Sequence, residues 1–219
     1  MLVLIVDQAS KIYIKTNFFY GETYQLASWA KIHFVENPGM AFGLEFGGEY
    51  GKLALSLFRI VMVGMLGYYL SLLIKRGVSF GLAVCFGLIF AGALGNILDS
   101  VFYGMIFTKS GSYPSDPAYL VAWGEGYGKF LYGKVVDMLY FPLVDGHLPD
   151  WFPAWGGQRF QFFRPIFNIA DSAITIGVTA LLLFHRDFFS EEFGEKEKVK
   201  IQEEKIFPND DKFSDQVTK

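Results

Sequence analysis

Seven polar residues lie inside or beside apolar stretches, where ionisable groups are costly and therefore functional candidates. Asp7 and Lys11 are four apart, on one face of a helix and in the order that favours an ion pair. Asn96 and Asp99 are three apart, as are Asn168 and Asp171. Asp137 is an acid between Val135-Val136 and Met138-Leu139-Tyr140-Phe141. Acids without metal ligands point to one chemistry: two carboxylates sharing a proton, activating water and then protonating a leaving amine. Like charges a few ångströms apart cannot both ionise, and burial beside lipid pushes the same way, so one pKa is driven up. The pair titrates as a unit, so neither acid receives an individual role. Spacing does not choose the two among Asp7, Asp99, Asp137 and Asp171.

The elements that must carry these residues read as membrane helices. The chain has 219 residues, 52% hydrophobic and 19% charged, shifted towards lipid from the roughly 25% charge of a soluble domain. Nine of its 22 acids and six of its 19 bases fall in residues 191–219, which leaves residues 1–190 with no net charge. That balance argues against a nucleic-acid binder, which needs a basic field. A single cysteine, Cys85, excludes a disulfide scaffold. It sits mid-span and reads as a packing residue. His33, His147 and His185 lack metal spacing.

Apolar runs at 53–74, 78–98 and 166–185 are each about 20 residues, or about 30 Å of helix, which matches a bilayer core. Their glycines suit helix contacts in lipid, and none alternates as a barrel strand would. A further span is expected over about 1–16, although the apolar stretch Leu2–Val6 before Asp7 is short. It lacks the basic leader and cleavage site of a signal peptide. It reads as the outer part of a first helix, with an upstream start as a hypothesis. Lys75-Arg76-Gly77 forms a tight basic connection that belongs in the cytoplasm. Loops 17–52 and 99–165 then lie outside, and both termini inside. The polar groups gather near the outer face. The outer loop carries Trp123, Tyr127, Tyr132, Tyr140, Trp151 and Trp155, rings that favour the headgroup zone. Two regions follow: a membrane domain over 1–190 and a charged cytoplasmic tail over 191–219 that is expected to be disordered.

Five ordered blocks resemble the lipoprotein signal peptidases (signal peptidase II), bacterial membrane aspartic peptidases. They are Val6–Lys11 (VDQASK), Glu36–Gly43 (ENPGMAFG), Gly95–Asp99 (GNILD), Val135–Asp137 (VVD) and Phe167–Ile174 (FNIADSAI). The resemblance implies that Asp137 and Asp171 are the catalytic pair. It implies supporting or substrate-binding roles for Asp7, Lys11, Asn37, Gly39, Asn96, Asp99 and Asn168. It further implies an all-α membrane fold of four transmembrane helices with a small extracytoplasmic β-element and long outer loops. The substrate would be a prolipoprotein bearing diacylglyceryl on its lipobox cysteine, cleaved just before that cysteine at the outer face of the bacterial inner membrane. Membrane lipid is the other expected partner, and no metal or organic cofactor is expected.

Two departures stand out. Ser100 occupies a position where the family usually has Arg, whose pairing is then absent or supplied by Arg59 or Arg164. The segments from Asp99 to Asp137 and from Asp137 to Asp171 are longer than in typical members, forming either a lid or surface decoration. Plainer roles compete: the acids as helix caps or lysine partners, Asp171 as a carboxylate favoured by a helix dipole, Asn37-Pro38-Gly39 as a turn. Asp7–Lys11 reads as a structural ion pair with Lys11 reaching outward. Gly77-Val78-Ser79-Phe80-Gly81 fits a serine-hydrolase elbow but opens a membrane helix away from the other polar groups. A non-enzymatic transporter would need polar groups through the whole bilayer, whereas Tyr68–Ile74, Phe80–Ile89 and Gly177–Phe184 carry no acid. A lipoprotein-binding homologue that does not cut is the remaining alternative.

Overall fold

The computed structural model describes residues 1–38, 48–114, 116–142, 144–147, 149–153, 156–162 and 165–188; of Glu49, 144–147 and 159–162 only the backbone is described. Gly39, Trp155, Arg164 and the tail over 191–219 lie outside the described residues, as does the His147 side chain. The chain divides into two compact units, Met1–Val178 and Thr179–Lys219. All side chains of the candidate site belong to the first. In the second, the end of the last helix runs to Phe184.

Helix α1 (Leu2–Asn17) leads to strands β1 (Thr23–Ala27) and β2 (Ala30–Asn37). Helices α2 (Gly48–Lys75) and α3 (Phe80–Leu98) follow, then a π-helical turn (Asp99–Tyr103) and a short α4 (Gly104–Ile106). Strands β3 (Val135–Tyr140), β4 (Val144–His147), β5 (Arg159–Phe162) and β6 (Ile166–Phe167) precede α5 (Ile169–Phe184). Among the described residues, β1-β2-β3-β6 form an antiparallel sheet and β4-β5 a two-stranded one. Helices with a small antiparallel sheet are thus what the resemblance led one to expect.

Two described helices are long and apolar enough to cross a bilayer: Tyr50–Lys75 and Phe80–Ile106, of 26 and 27 residues. Helices α1 and α5 have 16 residues each, short of the roughly 20 that a straight crossing takes. Between α2 and α3, Gly77 takes φ +72°, the left-handed form that closes a helix without Cβ strain. Ser79 then caps α3 by accepting the Leu82 N–H at 3.3 Å.

One expected boundary needs correction. The fourth span does not reach back to 166, because Ile166 and Phe167 pair with Tyr140 and Leu139 as β6. The helix begins one residue after Asn168, whose side-chain oxygen accepts the Asp171 N–H at 2.9 Å. Helix α3 ends at Leu98 and runs on directly into the π-turn and α4. The π-turn leaves carbonyls that the long outer segment satisfies: Gly133 N–H donates to Ser100 O (2.8 Å) and Leu131 N–H to Val101 O (3.1 Å). Lys52 and Ser56 of α2 hold the same segment through the carbonyls of Tyr132 and Leu131. Phe34, Phe107 and Val136, fully buried with Ile14, Tyr103 and Met138, form a core joining α1, the sheet and the π-turn.

Helix α3 meets the start of α5 at Gly92, where a Cβ would collide with the Ala170 carbonyl oxygen and lie 2.8 Å from Ile174 Cγ1. Gly92 is one turn before Asn96, so the close approach sets how that side chain meets Asp171. Gly92→Ala should therefore lower the melting temperature in detergent, by overpacking worth about 1–3 kcal/mol, and disturb the Asn96–Asp171 contact. Gly87→Ala on the same helix meets nothing within 4 Å and should leave both unchanged.

Candidate active site

The site is built around a buried ammonium. Lys11 is fully buried, and its Nζ donates to Asp7 Oδ2 (2.9 Å), Asp99 Oδ2 (2.8 Å) and Asn96 Oδ1 (2.9 Å). These contacts use all three N–H donors of a lysine. Lys11 therefore does not reach outward as the sequence suggested. With two carboxylates and an amide oxygen inside the fold, the charge has better partners there than in the headgroup zone.

Asp7 and Asp99, both fully buried, spend their remaining lone pairs on the frame. Asp7 Oδ1 accepts the Ala170 N–H at the start of α5 (2.9 Å). Asp99 Oδ2 accepts the Val136 N–H of β3 (3.4 Å). Gln8, which the sequence reading gave no role, faces Asp7, Asp99 and the Gly95 carbonyl through Nε2, and its Oε1 accepts from Tyr103 Oη at 3.2 Å. Its place between Asp7 and Lys11 in an apolar helix was the available signal.

Asn96 and Asn168 carry the network on to the other two acids. Asn96 Nδ2 donates to Asp171 Oδ1 (2.8 Å). Asn168 Nδ2 donates to Asp137 Oδ1 (2.7 Å) and faces Asn96 Oδ1 (3.1 Å) and Val136 O (3.3 Å). Asn37, the last residue of β2, donates to Asp137 Oδ2 at 3.3 Å. Asn168 and Asp171 also bond reciprocally, the Asn168 N–H donating to Asp171 Oδ2 (3.3 Å). Their three-residue spacing is that of a capping box, which explains why an acid stands in the first turn of α5. The fold thus gathers Asp7, Lys11, Asn96, Asp99, Asn168, Asn37, Asp137 and Asp171 into one network drawn from α1, β2, α3, the π-turn, β3 and α5, with Asn168 as the cap.

Asp137 lies on β3, is only 3% exposed, and its carboxyl is pushed up to about 7. Burial is the main cause and the neighbouring charge of Asp171 the next, while the Asn37 and Asn168 donors and Lys11 pull the other way. Asp171 is half-buried and lines a cavity of about 320 Å³ together with Asn96 and Arg59, walled by Met62, Ile97 and Ile174. Arg59 interacts electrostatically with Asp171. Ser100, in contrast, is turned back on its own helix: its Oγ donates to Asn96 O at 3.0 Å. A base from α2 thus faces Asp171. A larger cavity of about 520 Å³, between α1 and the sheet at Tyr13, Tyr24, Leu26 and Met138, is lined by no acid.

Known proteins resemble the chain over most of its length. The family model described as signal peptidase (SPase) II matches residues 1–186. A lipoprotein signal peptidase of Porphyromonas gingivalis (strain ATCC 33277) is 51% identical over 184 residues, covering 84% of this chain and 79% of that protein. Another, from Amoebophilus asiaticus (strain 5a2), is 33% identical over 222 residues, covering 100% of this chain and 89% of its own. Two solved structures of bacterial membrane enzymes, obtained by the in meso method, share the fold. One has a TM-score of 0.54 at 24% identity, covering 85% of each chain, and the other 0.52 at 26% identity, covering 83% of this chain and 86% of its own. The helices, the small sheet and the network of acids and asparagines occur in a chain matched by that family model from its first residue to 186, and the chain belongs to the signal peptidase II family.

Proposed function

We propose that this aspartic peptidase, which removes signal peptides from prolipoproteins, does so with Asp137 and Asp171 as its catalytic pair. The observation that carries the assignment is the matched holding of two carboxylates. Asn168 donates to Asp137 and Asn96 to Asp171, and the two amides face each other. Asp7 and Asp99 are already committed to Lys11 and to backbone N–H groups, so they frame the site rather than react.

In the reaction, a water lies between the two acids. The ionised carboxylate removes its proton as the oxygen attacks the scissile carbonyl, while the protonated partner hydrogen-bonds the carbonyl oxygen. The tetrahedral intermediate collapses as the nitrogen takes a proton from the dyad, the C–N bond breaks, and the pair is left sharing one proton again. Asn37, with Gly39 in the same block, would hold the peptide. The substrate is a precursor carrying diacylglyceryl on the cysteine that follows the cut, entering laterally from membrane lipid. Four crossings with both termini in the cytoplasm would place the reaction near the outer face of the bacterial inner membrane, with 1–190 as the peptidase domain and 191–219 as a cytoplasmic tail.

Asp137→Asn and Asp171→Asn should each lower kcat on a lipid-modified precursor by roughly 10³-fold or more, about 4 kcal/mol of transition-state stabilisation. Turnover near that of the wild type in either variant, with normal insertion, would exclude the pair. The pH dependence follows from Asp137. A carboxyl pushed up to about 7 keeps its proton below that pH, so kcat should fall as pH rises through about 7. The Asn37 donor favours the ionised form, so Asn37→Ala should move that limb to higher pH. A pH–rate profile in detergent micelles tests both.

A further inference from the structure

One buried ion cluster takes no part in the chemistry above. Glu36 precedes Asn37 on β2 and, by strand alternation, points to the other face of the sheet. Its side chain is 4% exposed and is gripped at both oxygens. Lys15, from the last turn of α1, pairs with Oε1, where Ser110 Oγ also donates at 2.8 Å. Lys134, the residue before β3, pairs with Oε2 at 3.2 Å. Lys15 and Lys134 both lie over the Tyr127 ring, at 5.0 and 5.8 Å, and Lys15 over Phe107 at 5.4 Å. Burial alone would push the Glu36 carboxyl up, yet Lys15, with help from Ser110 and Lys134, holds it below the usual carboxylate value. It is an ionised acid with two cations, buried where α1, β2, the start of β3 and the long outer segment meet.

The register of the sheet shows why such a clasp matters. Lys31 and Ile32 of β2 pair with Tyr140 and Leu139, but Val35, Glu36 and Asn37 pair with Asp137, Val136 and Val135. One extra residue of β2 is taken up between Ile32 and Val35. A one-residue slip turns every side chain to the opposite face, and a bulge is the usual way to re-aim one. Past the bulge, among the described residues, three pairs remain to fix the register that brings Asn37 to Asp137.

We infer, on the dyad assignment above, that Glu36 is a positioning residue: clasped by Lys15 and Lys134, it locks β2 against β3 beyond the bulge and so aims the Asn37 amide at Asp137. The carboxylate spans the two strands at the one pair, Glu36 with Val136, that adjoins both partners of that hydrogen bond.

The test is a double-mutant cycle between Glu36→Gln and Asn37→Ala, measured as kcat and KM on a lipid-modified precursor. If Glu36 acts through Asn37, Glu36→Gln lowers kcat about tenfold with KM within threefold. The double variant is then no more than about twofold worse than Asn37→Ala alone, and Glu36→Gln moves the alkaline limb of the rate profile upward as Asn37→Ala does. The groups facing Asp137 are otherwise unchanged: Asp171 and Asn168 at α5, and Lys11 from α1. Multiplying effects, or a KM rise at constant kcat, would overturn the proposal. Should Glu36→Gln not fold, Lys134→Met removes one arm at a partly exposed lysine. Its cycle with Asn37→Ala then decides by the same criterion, at about twofold to threefold in kcat. Near-normal turnover in Asp137→Asn would sink the dyad itself; additivity alongside an inactive Asp137→Asn would sink only the clasp.

Discussion

Burying one ammonium dictates most of this fold's inner geometry. A lysine taken wholly out of water is tolerated only if every N–H finds an acceptor and its charge a counter-charge. Lys11 meets both conditions by drawing Asp7 from its own helix and Asp99 and Asn96 from the end of α3. Each recruited group then has lone pairs or donors left over, and these reach the next element. Asp7 fixes the first turn of α5, Asp99 fixes β3, and Asn96 turns its amide to Asp171. Removing Lys11 would therefore leave two buried anions without their cation and break the links from α1 to Asp99 and Asn96 that this side chain makes.

Capping explains how the same network meets the ends of α3 and α5. The first turn of a helix exposes N–H groups that need acceptors. In α5 they are met by Asn168 at the Asp171 N–H and by Asp7 at the Ala170 N–H. The residues that start the helix are thus the ones that hold the acids. At the end of α3 the complementary problem, free carbonyls, is solved by the outer segment, with Gly133 packed onto the backbone of Asp99 and Ser100. The segment that looked like a lid or decoration in sequence is, over residues 128–134, part of the end of α3.

Local spacing revealed the pairs Asp7–Lys11, Asn96–Asp99 and Asn168–Asp171, because i+3 and i+4 neighbours share a helix face whatever the tertiary fold. The two long apolar helices were legible from hydropathy for the same local reason. Partnership across the chain was not: nothing in spacing joins Asp137 to Asn168 or Asn37, and its place came from a resemblance. Lys11 was misjudged because outward reach is the ordinary behaviour of a lysine near a helix end. Its acceptors Asp99 and Asn96 lie more than 80 residues away. Glu36 carried no signal, since its cations come from α1 and from the residue before β3. The start of α5 was set too early because Ile166 and Phe167 are apolar enough to extend the run, and only pairing with β3 shows them to be strand.

The balance of charge bears on the acid pair proposed above. Among the described residues of the network, Asp7 and Asp99 pair with Lys11, whose charge also acts on Asp137, and Arg59 faces Asp171 from the cavity wall. Four carboxylates against two cations favour keeping a proton in the cluster. Lys11 is spent on Asp7 and Asp99 and Arg59 stands beside Asp171, so with every carboxylate ionised each half would carry one more anion than cation. Within the second pair, Asp137 is the more deeply buried, while Asp171 borders the cavity beside Arg59. Asparagine amides, unlike lysines, hold carboxylates without neutralising them, so the pair is oriented while its proton stays available. Were Asn96 or Asn168 a lysine, the same hydrogen bond would bring a full positive charge, and Asp137 would lose the tendency to stay protonated that an acid–base dyad needs near neutral pH.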